Sequence, residues 1–198
     1  MSWFAAVAVA FAVAACGGAP RPEPPSSHVA KLTPGPSTPS SVTDRATVEW
    51  PEVHLAFRSF GGIPVERAKW PVGGTATQSL MVGGDDGERI SWRLRQGTGI
   101  GLHDVHDDRR DWAFADGDTI ALCGRPARVL LARHAAEDIE CVMTPTGNHP
   151  ARVAPRLVVA AGTMNRDEPL LAQFEVESEH AERWMPVALE LLQSVRCR

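Results

Sequence analysis

An α+β domain, built as an antiparallel β-sheet with an amphipathic helix packed on it at the end of the chain, is the fold class the sequence predicts. Three observations predict it. Through Glu88 to Arg95, Ile90, Trp92 and Leu94 interleave with Ser91, Arg93 and Arg95, the period-two pattern of a strand with one buried face. Thr119 to Cys123 and Ala127 to His134 are joined by Gly124-Arg125-Pro126, a short turn-prone link that makes them an antiparallel hairpin. Near the end the period changes: Trp184, Ala188, Leu191, Leu192 and Val195 recur at spacings of three and four, with Met185 and Leu189 alongside. That spacing makes an amphipathic helix whose apolar stripe needs a sheet to cover.

In chain order, residues 2 to 15 carry no charged side chain. The run is shorter than the ~20 apolar residues of a membrane-spanning helix, and it lacks the polar face and the cap of a core helix. Its length suits the apolar region of a secretory signal. Val13-Ala14-Ala15-Cys16 resembles the bacterial lipobox: an aliphatic residue, two small residues, then the cysteine that receives lipid. The resemblance implies a signal peptide over 1–15, cleavage before Cys16, a diacylglyceryl group on its thiol and an acyl chain such as palmitate on the new amine. One departure is that no Lys or Arg precedes the apolar core. Two or three acyl chains anchor stably where one binds only marginally. By resemblance to lipoprotein sorting rules, Gly17 in place of Asp after the cysteine favours the outer membrane.

Residues 16–45 hold the lipidated cysteine and a stretch dominated by Pro, Ser, Thr and Gly. Such composition buries too little apolar area to offset ordering entropy, so it reads as a tether. Residues 46–198 form one domain, long enough for a hydrophobic core. The formal net charge of -4 gives no basic footprint, which sets nucleic acid aside as a partner. Besides the three elements above, strands are expected at Val53 to Arg58, Leu80 to Gly83, Arg156 to Gly162 and Leu170 to Glu177, with a short one possible at Ile139 to Met143. Ser178 is placed to cap the closing helix, and Pro186 either kinks that helix or marks its true start.

The densest polar cluster is Gly101-Leu-His-Asp-Val-His-Asp-Asp-Arg-Arg-Asp111. Imidazoles and carboxylates together are a transition-metal ligand set, with His103, His106 and Asp107 as candidate ligands. On a strand, however, His103 and Asp107 face one side while Asp104, His106 and Asp108 face the other. Arg109 and Arg110 would also neutralise the carboxylates, so a solvated, salt-bridged loop is the competing reading. No G-x-S-x-G elbow, no phosphate loop ending in G-K-S or G-K-T and no C-x-x-C pair occurs. His134 beside Glu137 and Asp138, and His149 beside Pro150, are isolated histidines. No catalytic residue and no cofactor is assigned, and Gly147-Asn148 reads as a turn.

The strands around T-I-A-L-C-G-R-P-A-R-V-L-L-A-R, R-L-V-V-A-A-G-T-M and L-L-A-Q-F-E-V-E-S, followed by A-L-E-L-L-Q-S-V-R-C, resemble bacterial lipoproteins of the PsbP-like superfamily. The resemblance covers roughly the last half of the domain. It implies an α/β sandwich in which helices flank an antiparallel sheet, and a non-catalytic binding, assembly or accessory role. The Gly-rich stretches at 61–62, 73–74 and 83–87 depart from it.

Three cysteines follow Cys16: Cys123, Cys141 and Cys197. Export puts them where disulfides persist, and an odd number leaves one over. If Thr119 to Cys123 runs up the sheet, the following strands and a rising final helix bring Cys197 to the end where Cys123 lies. Cys123 with Cys197 is therefore the expected bond, Cys123 with Cys141 the alternative, and three buried thiols the reading without a bond. Two function classes stay open. One is a lipid-anchored envelope module that binds an envelope protein or a small ligand. The other is a metal-dependent surface hydrolase using the cluster at 103–108.

Overall fold

The computed structural model describes residues 44–71, 73–83, 87–107, 109, 111–144 and 147–198, without the side chains of 139–151. The leader, lipobox and tether expected before residue 44 therefore lie outside the described residues, as do Asp108 and Arg110 and the side chains of Cys141 and His149. The strands in chain order are β1 (Arg45–Trp50), β2 (Leu55–Phe60), β3 (Glu66–Lys69), β4 (Gly74–Val82) and β5 (Glu88–Gln96). A one-turn helix α1 (His103–Asp107) precedes β6 (Ala113–Leu122), β7 (Arg125–His134), β8 (Glu137–Thr144), β9 (Gly147–Val153), β10 (Arg156–Asn165) and β11 (Glu168–Glu177). Helix α2 (Met185–Gln193) and the short strand β12 (Arg196–Cys197) complete the chain, with 3-10 turns at Pro51–Val53 and Ala181–Trp184.

Seven strands form one antiparallel sheet in the order β3-β4-β5-β11-β10-β7-β6, and a three-stranded sheet has the order β1-β2-β12. β8 and β9 pair as a separate two-stranded arm. The α+β sandwich expected from the sequence, with helices flanking the sheet, is therefore overturned: strands dominate the described residues, and α2 is a single helix of nine residues. Segments such as Arg45–Trp50, Glu66–Lys69 and Gly147–Val153, which lack a strand pattern of their own, pair with neighbours. Cross-strand pairing overrides weak local preference there. Gly147 and Asn148 accordingly lie in β9, opposite Thr144 and Met143.

The inner face of the large sheet carries Ile90, Trp92 and Leu94 from β5, Leu170, Ala172, Phe174 and Val176 from β11, and Leu157, Val159 and Ala161 from β10, all buried. Against it pack Ala188, Leu191 and Leu192 of α2, with Trp184, Val195 and the small sheet's Leu55, Phe57 and Phe60. Pro186 stands in the first turn of α2, where a missing N–H leaves no helical bond unmade, so it marks the start of the helix. The Ser178 hydroxyl accepts the His180 N–H at 2.9 Å, opening the 3-10 turn ahead of α2 and not capping α2 itself.

Gln78 locks the two sheets together. Its side chain accepts the Phe60 N–H at 2.9 Å and donates to the Phe60 and Ile63 carbonyls at 2.9 and 2.8 Å. The β6–β7 turn is Cys123-Gly124, both with left-handed φ of 54° and 71°, which matches the twist of the flanking strands. Arg125 and Pro126 already belong to β7, so the turn lies one residue earlier than the sequence suggested. Cys123 is bonded to Cys197, and its N–H donates to the Val195 carbonyl at 3.3 Å.

The outer face is covered on one half only. Ile100, Leu102, Val105, Trp112 and Phe114 cover Leu130, Ala132, Val158, Ala160 and Leu171, making a second core above β7, β10 and β11. β10 is thus apolar on both faces, which explains the unbroken run L-V-V-A-A at 157–161. Over β4 and β5 no described segment covers the outer face in the same way.

Candidate functional site

The open half of the outer face is built by register. Ser79 of β4 lies opposite Ser91 of β5, Ser91 opposite Glu175 of β11, and Glu175 opposite Val158 of β10. Along this row the sheet passes from open hydroxyls through a carboxylate to the covered apolar half. Glu175 marks the boundary. It receives Arg109 from the covering segment at 2.9 Å and the Gln173 amide at 3.3 Å, and the Arg109 guanidinium stacks 5.1 Å from the Trp112 ring. One row along, Arg89 lies opposite Glu177, which pairs with Arg156 at 3.0 Å.

A shallow cleft of about 400 Å³ lies here, lined in part by Ser79, Met81, Arg89, Ser91, Glu175 and Glu177. Met81 is 54% exposed, and among the described residues Arg89 forms no ion pair. Glu175 and Glu177 are committed to arginines, and among the described residues no imidazole lines the cleft beside the hydroxyls. Hydroxyls, an exposed thioether and the Arg89 guanidinium suit recognition by hydrogen bonds, apolar contact and charge.

The cluster at 103–108 takes a different form from the strand or loop considered above. Residues 103–107 form α1, whose underside Val105 is fully buried. A helical turn puts His103, His106 and Asp107 at spacings of three and four, yet each side chain is engaged separately or faces solvent. His103 meets Asp104 at 3.4 Å, Asp104 meets Arg95 at 3.1 Å, and His106 stacks on Phe114 with centroids 4.1 Å apart. Among the described residues, no three His, Cys, Asp or Glu side chains come together as a set that could hold a metal ion. His134 lies 4.0 Å from Glu137, beyond hydrogen-bond reach, and its ring sits 5.4 Å from Trp112.

Glu88, which drew no notice in the sequence, ties β5 to the last helical segment. It accepts the Trp184 indole N–H at 3.2 Å and also hydrogen bonds from Ser178 and Arg183. Burial pushes its carboxyl up, but the three hydrogen bonds and the Arg183 charge outweigh burial and hold it below the usual carboxylate range. This is an anchor for the helix. The polar face of β11, by contrast, was legible: Gln173, Glu175 and Glu177 are the complement of the apolar set Leu170, Ala172, Phe174 and Val176.

No protein-family model matches the chain, and no curated protein matches it.

Proposed function

We propose that this chain is an exported lipoprotein, anchored through Cys16 to the membrane surface of the cell envelope, most consistent with the outer membrane, and that its β-domain is a non-catalytic module binding an envelope protein or small ligand on the open sheet face. The observation that carries the reading is the disulfide between Cys123 and Cys197. Such bonds persist in oxidising compartments and are rare in the bacterial cytoplasm, so the bond supports the export that the lipobox implies. The binding role is supported by the one-sided cover of the large sheet, which leaves hydroxyls, Arg89 and Met81 exposed over β4 and β5.

The test is site-specific photocrosslinking in intact membranes, with the probe at Ser91 on the open face and, as control, at Asp118, exposed on the edge strand β6. A discrete adduct from position 91 that is absent from 118, and that is lost on Arg89→Glu, is the expected result. Equal labelling from both positions would remove the open face as the binding surface.

A further inference from the structure

On the outer face of the small sheet, β1, β2 and β12 meet the end of α2 around an open pocket of about 600 Å³. Register builds its floor. Glu49 of β1 lies opposite Ala56 of β2, and Ala56 opposite Arg196 of β12. Arg58, two residues along β2 from Ala56, therefore stands on the same face, opposite Thr47 and diagonal to Arg196. Ala56 is a small side chain between long ones, so the floor is low.

The end of α2 fixes one wall. Ser194 Oγ accepts the Arg58 N–H at 2.9 Å and donates to the Leu191 carbonyl at 2.6 Å. The Arg196 guanidinium is held through Nη1, which donates to the Gln193 and Val195 carbonyls at 2.6 and 3.4 Å. The charges around the pocket do not balance. Arg198 and Glu49 pair at 2.7 Å and cancel, and Arg166 donates to the Arg198 carbonyl at 3.3 Å. Glu190, however, is shared between Arg58 at 3.1 Å and Arg45 at 3.3 Å. With Arg196, three guanidiniums thus stand around one carboxylate, and two positive charges are left over on this face of a chain whose formal net charge is -4. Like charges side by side on a sheet repel. They are also within reach of a ligand, since the Arg58 side chain is 54% exposed and Arg196 is exposed.

We propose that this pocket binds a phosphate monoester, whose oxygens take hydrogen bonds from the guanidiniums of Arg58 and Arg196 above Ala56. The planar fork of arginine matches such an oxyanion. A phosphate monoester carries a charge of about -1.5 to -2 at neutral pH, which meets both spare positive charges. A carboxylate, a sulfate ester or a phosphodiester brings one charge and leaves a guanidinium unmatched, and a metal cation is repelled. The inference does not depend on lipid anchoring or on the open sheet face.

Isothermal titration of the full chain in mild detergent, at constant ionic strength and pH 7.5, tests it with two monoesters, glycerol 3-phosphate and micelle-borne phosphatidate. Dimethyl phosphate and methyl sulfate, with one negative charge each, are the controls. At least one monoester should bind saturably, and both controls should bind at least tenfold more weakly. Tighter binding of glycerol 3-phosphate assigns a soluble ligand, and tighter binding of phosphatidate a lipid headgroup. Arg58→Gln and Arg196→Gln should each weaken the monoester at least tenfold, since each removes a charge-assisted hydrogen bond, whereas Arg128→Gln, on β7 and 70% exposed, should leave it unchanged. Both pocket substitutions are at exposed positions, and thermal unfolding of the variants checks that they fold. Affinity should also fall as pH drops below about 6, where the monoester takes up its second proton. No saturable binding by either monoester, equal binding of dimethyl phosphate, or unchanged affinity in both arginine variants would overturn the proposal.

Discussion

Cys123 and Cys197 are 74 residues apart in sequence and 4.9 Å apart at their Cα atoms, joined by a disulfide. The bond fastens the β6–β7 turn of the large sheet to β12 of the small one, and β12 otherwise holds to β2 through two residue pairs only. It closes the second layer over the core at the point where the chain leaves α2.

Closing a loop of that length contributes about 4 kcal/mol in the chain-entropy model. The double substitution Cys123→Ala with Cys197→Ala should therefore lower the unfolding free energy in urea by ~2–4 kcal/mol. Peptide mapping without reductant should give a linked pair containing residues 123 and 197. A linked peptide containing Cys141 would contradict the assignment.

Gln78 satisfies three backbone groups with one amide, the N–H and carbonyl of Phe60 buried and the Ile63 carbonyl partly buried. Substituting Leu keeps the volume and strands all three, so Gln78→Leu should cost about 3 kcal/mol or more. Denaturant midpoints measure this, and a loss below ~1 kcal/mol would show that the two sheets do not depend on the amide.

Glu88 gives the fold a pH dependence of known sign. Its folded pKa is depressed, so its contribution is present above the unfolded value of about 4.3 and is lost as pH falls through the folded value. In Glu88→Gln, stability should be lower by ~1–3 kcal/mol at pH 7, and the gap to the parent should narrow as pH falls below about 4. A gap that stays constant down to pH 3 would count against the anchor.

The open face makes a contrasting prediction. Arg89 and Ser91 support no core contact, so Arg89→Glu and Ser91→Ala should each change stability by less than about 0.5 kcal/mol, and Arg89→Glu should abolish the position-91 adduct. Thermal unfolding and crosslinking on the same preparations separate the two effects.

How much of this was legible depends on whether a segment's own residues carry the signal. Arg89 to Arg95 alternates strictly, and Leu170, Ala172, Phe174 and Val176 share one side, so these inner faces could be read directly, whereas Leu171 is apolar on the other side. β10 reads L-V-V-A-A because both faces are buried, and no periodicity marks such a strand. Cys123 was placed near Cys197 by strand direction alone. β1, β3 and β9 carry no pattern of their own, and their pairing partners decide them, which is why the sheet was underestimated; the flanking helices were implied by the resemblance alone. α1 reads as a charged loop because one buried residue, Val105, is all that turns it onto the sheet. The hydrogen-bond chain from Asn165 through Gln96 to Glu168 had no sequence signal, since the three residues meet only through the strand ends.

The central claim is that the domain is exported and held at the envelope by lipid on Cys16, and metabolic labelling with palmitate combined with fractionation tests it most directly. The parent chain should incorporate label and sediment with membranes, and Cys16→Ser should incorporate none and appear in the soluble fraction. A Cys16→Ser chain that stays membrane-bound to the same extent as the parent, or a parent that takes up no label, would contradict the account.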